Sequence, residues 1–311
     1  MDSRWGFDAL LINVRYRFSA LILFSAVFII IGYSQPVFSQ NNIQKFSHGL
    51  IWKVEKKGLK PSYLVGTMHV SDSRVTQFGS TLKGLIGSCD SLTLEAKFDA
   101  NSQQLMLKAM LLNNGRRLSD YITGQELKIV EKSLAPASFN AQMVALLKPW
   151  AATLLLSMPK SSEGMAMDAL LQKHFVSQQK PVYQLESPME QINLFEQLGI
   201  ADQVGMLRET IAEVDTIDTL LDETLRLYLA EDIAGLLQLN NEYVSASLSE
   251  VLPLFMRRLV ENRNHTMFDR MQVRLKEGNA LIAVGALHLP GDEGLLFLLE
   301  SAGYGLTSIF Q

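Results

Sequence analysis

The segment Leu281-Ile-Ala-Val-Gly285, followed by Ala-Leu-His288, contains the most apolar strand predicted in this chain. A second segment, Tyr63-Leu-Val-Gly66 followed by Thr-Met-His69, has the same order of an apolar strand, a glycine, two residues and a histidine. Glycine directly after a strand permits a sharp turn or a close backbone approach. In open α/β sheets, functional side chains lie beyond the carboxyl ends of the strands. We therefore expect two neighbouring strands in one sheet, with both Gly-x-x-His turns at the same end.

The rest of the pattern places long helical blocks between a few strands. A β-hairpin is predicted over residues 50–66, and two further strands end in acids, at Glu95 and Glu186. Helical spacing fills most of two long intervals, 101–179 and 188–276. This arrangement predicts an α/β (α+β) fold, with a small central sheet, large helical insertions and a metal-type site at the strand carboxyl ends.

The composition excludes several classes of protein. Of the 311 residues, 48% are hydrophobic and 19% are charged, which excludes a disordered or fibrous chain. The 28 Lys and Arg residues are outnumbered by 32 Asp and Glu, so no basic face for nucleic acid is expected. Cys89 is the single cysteine, so the chain has no internal disulfide, no thiolate zinc site and no iron–sulfur cluster. Any chemistry must use histidines, carboxylates, hydroxyls or a bound metal.

The first 39 residues have the layout of a secretory signal peptide. Three arginines precede an apolar run over residues 18–31, and Pro36 and the small residue Ser39 follow it. The run is shorter than the roughly 20 apolar residues that span a bilayer. We therefore predict that residues 1–39 are removed and that the exported domain, residues 40–311, lies in the periplasm or cell envelope. The alternative is an uncleaved single-span membrane anchor, in which this segment is the chain's contact with the membrane.

Two imidazoles and one or two carboxylates form a donor set suited to a divalent transition metal. The candidate metal ligands are His69, His288, Glu95 and Glu186. A carboxylate beside a metal-bound water can also act as a general base, and Glu95 is the candidate for that catalytic role. Other interpretations stay open at this point. Glu95 would then be a solvated strand end or a helix-cap partner, and Glu186 would complement the helix that starts near Pro188.

Seven segments of the chain carry a resemblance to a known family. In chain order they are Leu64–Val70, Ser91–Glu95, Lys148–Trp150, Gly164–Asp168, Leu185–Glu186, Asn262–Asn264 and Val284–Gly291. Together they resemble the TraB/GumN (TraB/PrgY/GumN) family, which includes the TIKI metalloproteases that cleave Wnt. The likeness extends over about residues 49–310, and its closing part resembles the GumN-type branch. The resemblance implies a metal-dependent hydrolytic core, whose residues here are His69, His288 and Glu95.

Two functions are compatible with these observations. The first is an exported metal-dependent hydrolase, and specifically a peptidase, with manganese, cobalt or zinc as the metal and a peptide or protein as the substrate. In it, Asp168 orients imidazole N–H groups or adds a ligand, and Arg263 holds a substrate carboxylate or carbonyl. The alternative for Arg263 is an exposed ion pair with Glu261. The second function is a non-catalytic envelope protein that binds a peptide or a small molecule in the same cleft.

Several common hydrolase signatures do not occur in this sequence. There is no His-Glu-x-x-His motif, which excludes an ordinary zincin. There is also no Gly-x-Ser-x-Gly elbow and no P-loop, so serine hydrolases and nucleotidases are disfavoured. The Gly-x-x-His pair is therefore the main chemical signal of the chain.

Overall fold

The structure is a computed structural model, and it describes residues 45–159, 164–247 and 251–309. Its strands are β1 (Ile51–Glu55), β2 (Ser62–Thr67), β3 (Ser91–Leu94), β4 (Val182–Gln184), β5 (Ala280–Gly285) and β6 (Gly305–Ile309). They form one six-stranded sheet in the order β4-β3-β5-β2-β1-β6. The first four strands of this order run parallel, whereas β1 is antiparallel to both of its neighbours. The predicted α/β class is confirmed.

The two strands that precede the Gly-x-x-His turns are direct neighbours. β2 pairs in parallel with β5, and the register places Gly66 opposite Val284 and Thr67 opposite Gly285. β5 is buried along its whole length, as expected for a central parallel strand that is covered on both faces. The antiparallel pairing of β1 with β2 is the predicted hairpin. Both predictions are confirmed, so the two turns open at the same edge of the sheet.

Helices occupy the long intervals between the strands. They are α1 (Ser73–Thr76), α2 (Ser80–Ser88), α3 (Ala100–Met110), α4 (Gly124–Leu134), α5 (Ala141–Ala145), α6 (Pro149–Leu156), α7 (Met167–Ser177), α8 (Pro188–Glu196), α9 (Ile200–Ala212), α10 (Ile217–Leu229), α11 (Ile233–Ala246), α12 (Val251–Leu259), α13 (Glu261–Glu277) and α14 (Leu295–Ser301). Short 3₁₀ segments are Leu118–Asp120, Ala135–Ala137 and Ala286–His288. Buried hydrophobic side chains form two large clusters, one around the sheet and one mainly among α3–α6, α8, α9 and α12.

A capped helix start fixes the chain where it leaves β4. The Ser187 hydroxyl accepts a hydrogen bond from the Glu190 N–H, and the Glu190 carboxylate accepts one from the Ser187 N–H. Pro188 occupies the first turn of α8, where its missing N–H costs no helical hydrogen bond. This capping box satisfies two backbone donors and sets the direction of the chain just after Glu186.

The predicted signal peptide, residues 1–39, lies outside the described residues, so its cleavage stays a prediction. The boundary of the domain at residue 40 stays a prediction for the same reason. Among the helices of the described ranges, none combines the length and the apolar character needed to cross a membrane.

Candidate functional site

Four of the predicted site residues follow the carboxyl ends of the four parallel strands. Glu186 follows β4 and Glu95 follows β3, whereas His288 follows β5 and His69 follows β2. The sheet order therefore sets them in a row, first two carboxylates and then two imidazoles. The side chains of Glu95 and His288 are 0% exposed, and that of His69 is 9% exposed. The solvated interpretation of Glu95 is therefore wrong, and the row lies where ligands bind in open α/β sheets.

A carboxylate holds the His69 ring. Nδ1 of His69 lies 2.6 Å from Asp168 Oδ2, and the Thr67 hydroxyl donates to Asp168 Oδ1 at 2.7 Å. Because an ionised carboxylate only accepts, Nδ1 carries the hydrogen and Nε2 of neutral His69 keeps its lone pair. Burial opposes protonation of His69, but Asp168 outweighs it, so the pKa of His69 is raised above its ordinary value. Nε2 is buried and has no hydrogen-bond partner within the described residues.

A carboxamide holds the His288 ring. Nδ1 of His288 lies 2.7 Å from Asn264 Oδ1, while Asn264 Nδ2 donates to the Glu293 carbonyl at 2.7 Å. Since the amide oxygen can only accept, His288 also carries its hydrogen on Nδ1. Burial, reinforced by Arg263 and His69, lowers the pKa of His288 to about 3. Its Nε2 is likewise buried without a hydrogen-bond partner in the described chain, and it lies 3.6 Å from Glu95 Oε1.

Glu95 is a buried carboxylate whose two oxygens both accept hydrogen bonds. The Gly285 N–H donates to Oε1 at 2.6 Å, and Arg263 Nη2 donates to Oε2 at 2.5 Å. Burial alone would raise the pKa of Glu95, but Arg263 and then the two histidines lower it to about 2. Glu95 is therefore ionised at neutral pH, and a backbone amide of the second Gly-x-x-His motif helps to hold it.

Arg263 joins the two carboxylates of the row. It is 5% exposed, and its Nε donates to both oxygens of Glu186 at 3.1 and 3.0 Å, in addition to its bond with Glu95. The interpretation of Arg263 as half of an exposed ion pair with Glu261 is wrong. Residues two apart on a helix do not face each other, and Glu261 pairs with Arg257 one turn earlier. Buried ion pairs of this kind need every partner, because removing one leaves an unpaired charge inside the protein.

Two carboxamides of the site were missed by the sequence reasoning. Asn264 lies beside Arg263 within one of the family-like segments, but its spacing gives no sign that it contacts His288. Gln191 lies on α8, and its Nε2 faces Glu186 Oε2 at 3.4 Å. The carboxylate fixes the orientation of this amide, because only the NH₂ group can face it. Gln191 Oε1 is consequently left buried and without a hydrogen-bond partner in the described residues.

Close contact between the two turns explains the glycine of the first motif. A Cβ atom at Gly66 would lie 2.7 Å from Leu289 Cδ1 and 3.2 Å from the Cα of Ala286. Real Cβ atoms essentially never come within 3.0 Å of another atom, so the Leu289 side chain would have to move, and the contact with the Ala286 backbone would also be tight. The buried Tyr228 hydroxyl donates to the Gly66 carbonyl at 3.0 Å and holds the same turn from the α10 side.

The donor atoms of the row fit a divalent transition metal in their chemistry. Two imidazole Nε2 lone pairs are buried and unused, and an ionised carboxylate lies beside one of them. Across the described ranges, no three His, Cys, Asp or Glu side chains are already arranged to hold a metal ion. His69 and His288 would hold a metal through Nε2. Glu95 would join them only by giving up a bond to Gly285 or Arg263.

Comparisons with known proteins agree with this arrangement of motifs. A family model described as the TraB/PrgY/gumN family matches residues 50–308, from the residue before β1 to within β6. The match therefore includes both Gly-x-x-His turns and both acid-ended strands. The search of curated proteins and the search of solved structures each returned no match. On the family match, the chain belongs to the TraB/PrgY/gumN family.

Proposed function

We propose that this chain is an exported metal-dependent hydrolase that cleaves peptides, with manganese, cobalt or zinc held by His69 and His288. The observation that carries the proposal is the pair of buried Nε2 atoms that no group of the described chain satisfies. Leaving a buried polar atom unpaired costs about 1–3 kcal/mol. Here the cost occurs at both histidines of a repeated motif, on adjacent strands. One bound cation would satisfy both lone pairs.

The neighbouring side chains then have distinct tasks. Asp168 and Asn264 accept the Nδ1 hydrogens, which fixes each ring and keeps its Nε2 lone pair available. When bound, the metal would supply a Lewis acid and a water of lowered pKa. Glu95 is ionised and lies 3.6 Å from His288 Nε2, so it is placed to accept a proton from an attacking water.

Arg263 and Glu186 position Glu95 in this proposal. Arg263 Nε and Nη2 bind Glu186, Nη2 also binds Glu95, and Nη1 donates to the Leu259 carbonyl at 3.0 Å. With every nitrogen engaged inside the protein, the guanidinium holds its two carboxylates rather than a substrate carboxylate. Gln191 Oε1 is the acceptor left over at this end of the row, and it would receive an N–H of the substrate.

Burial of the row favours a second candidate function. A peptide must reach the groups that cleave it, yet Glu95 and His288 are each 0% exposed, and His69 is the partly exposed member of the row. The same donors in a closed site suit a non-catalytic envelope protein that binds a peptide or small molecule, with a metal that is only structural. Cleavage, rather than metal binding alone, therefore separates the two functions.

Metal content and peptide cleavage test the proposal together. Chelator-stripped protein is dialysed against manganese, cobalt or zinc, its metal is measured by elemental analysis, and it is incubated with an unbiased peptide library. Changing a group that only orients a ligand typically costs 10–100-fold in metal affinity. We therefore expect His69→Ala or His288→Ala to weaken binding by more than about 100-fold. His174→Ala, an exposed histidine of α7, is the matched control and should bind as the wild type does.

Glu95→Gln distinguishes the two roles of that carboxylate. Retained metal with lost cleavage identifies a general base, whereas loss of both identifies a ligand. If the wild type retains metal but cleaves no peptide, the second candidate function, a non-catalytic binding protein, is supported instead. If no divalent metal binds at neutral pH and His69→Ala behaves as the wild type, the metal site itself is refuted.

A further inference from the structure

A cavity of about 580 Å³ lies beside Asn264, the residue that binds His288 Nδ1. Its walls are α11, α12, the first turn of α13 and the loop that follows His288. The lining includes Leu287, from the second Gly-x-x-His turn, and Asn264, which holds His288 Nδ1. The volume falls within the range of small-ligand sites in proteins, about 300–1,000 Å³. None of the proposed metal-binding atoms lines this cavity, so it is a separate site.

The charged groups of the lining are Arg257, Glu261, Asp292 and Glu293, and each of them already interacts with a partner within the protein. Arg257 Nε donates to Glu261 at 3.0 Å, and Glu293 pairs with His265 at 2.6 Å. A ligand that carried a net charge would have to compete with these pairs. The lining therefore favours an uncharged ligand.

The remaining polar side chains of the lining are two carboxamides and the hydroxyl of Ser245. Asn240 and Asn241, adjacent on α11 and partly buried, line the cavity and make no side-chain hydrogen bond with any described residue. Each carboxamide offers both donors and an acceptor, which matches the N–H and C=O of a peptide group. The lining also includes apolar side chains, among them Val244 on the same helix and Met256 on α12.

We infer that this cavity binds a short, uncharged peptide segment, with its backbone on Asn240 and Asn241 and an apolar side chain against Val244. The inference rests on the proposed function for its link to cleavage, since it places a peptide next to the support of His288. Two hydrogen bonds connect the cavity lining to His288. Asn264 Nδ2 donates to the Glu293 carbonyl, and His288 Nδ1 donates to Asn264 Oδ1.

Binding is tested without catalysis. A fluorescein-labelled, end-blocked hexapeptide of Leu, Ala, Asn and Ser is titrated with the chelator-treated mature chain, and anisotropy is measured. The double variant Asn240→Leu with Asn241→Leu keeps the branching and the number of heavy atoms of both side chains but removes their hydrogen-bonding groups. We expect about tenfold weaker binding or more, because each lost hydrogen bond changes affinity by a few-fold. Gln238→Leu is the matched control, an exposed carboxamide of the same helix outside the lining, and it should not change the affinity.

A second variant and a second peptide make the outcome decisive. Val244→Trp fills the cavity and should abolish binding, while circular dichroism checks that each variant is folded. The inference is overturned if the peptide does not bind, if the double variant binds as the wild type, or if a Lys- or Asp-substituted peptide binds more tightly. Binding without cleavage by the metal-loaded protein would refute the proposed function alone. Cleavage with no effect of Asn240 and Asn241 would refute this site alone.

Discussion

The two Gly-x-x-His turns repeat one sequence pattern, yet the protein surrounds their histidines differently. His69 Nδ1 faces the carboxylate of Asp168, whereas His288 Nδ1 faces the carboxamide of Asn264. Burial opposes protonation of both rings, but only at His69 does a neighbouring charge overcome it, so the pKa is raised at His69 and lowered at His288. The repeated motif sets where each ring lies, and the partner of Nδ1 sets which charge it carries.

The largest expected effect on stability comes from removing Arg263, which binds both Glu95 and Glu186 beside His288. Arg263→Met leaves Glu95 and Glu186 buried without their cation, which we expect to destabilise the fold by about 3–5 kcal/mol. The free energy of unfolding is measured by urea titration with circular dichroism. Arg257→Met, which removes an exposed ion pair, is the control and should cost about 0–1 kcal/mol. Equal costs for the two variants would contradict the buried network.

The contact between the two turns gives a second, smaller effect. Gly66→Ala places a Cβ atom against the Leu289 side chain and within 3.2 Å of the backbone of Ala286, which would have to shift by a few tenths of an ångström. We expect a loss of about 1–3 kcal/mol in the free energy of unfolding, as for other overpacked sites. The control is Gly87→Ala, where an added Cβ meets nothing within 4 Å. It should leave stability unchanged or raise it by up to about 1 kcal/mol. A Gly66→Ala protein as stable as the wild type would show that the turns are not locked together.

The pH dependence of the free energy of unfolding distinguishes the two rings, because their pKa values are shifted in opposite directions. The pKa of His288 is about 3 in the folded protein, against 6.5 for an ordinary histidine in the unfolded chain, so between these pH values the unfolded state binds the extra proton. Its contribution makes stability fall as the pH falls from about 6.5 toward 3, by up to about 1.4 kcal/mol per pH unit. The raised pKa of His69 acts in the other direction. Its contribution is complete below pH 6.5 and is lost as the pH rises through the folded value.

Single variants separate these two contributions. We expect His288→Gln to flatten the fall of stability below about pH 6.5, and His69→Gln to flatten the decline above it. Urea unfolding of chelator-treated protein from about pH 4 to about pH 8 measures both slopes. A His288→Gln protein that keeps the full wild-type slope below pH 6.5 would show that another group causes it.

The strands and the row of site residues could be predicted because their signals are local. An apolar run followed by Gly-x-x-His or by a glutamate identifies the strand and its carboxyl end within a few residues. The end of β4 is less sharp in the sequence, since the prediction continues to Glu186 while the strand stops at Gln184. The chain leaves the sheet there because the capped start of α8 already directs it at Ser187.

The partners of these residues could not be predicted, because they depend on how helices approach the sheet. Asn264 and Gln191 are ordinary polar positions within helical patterns, and only the packing of α13 and α8 makes them part of the site. Arg263 shows the same limit, because its local neighbour Glu261 suggested a surface pair while its true partners are 168 and 77 positions away. Asp168 was identified as a support for imidazoles, but the sequence does not show which ring it holds.

The place of β5 in the sheet has a consequence for the order of folding. β5 lies between β3 and β2, and it is made after residue 279 of a 311-residue chain. Until it emerges, the β1–β2 hairpin and the β3–β4 pair have no strand to join them, and their facing edges stay open. Such distant pairings fold slowly and leave edges exposed to other chains meanwhile. A growing chain that stops short of β5 contains helices α1–α13, but it has two separate pieces of sheet and only one of the two site histidines, His69.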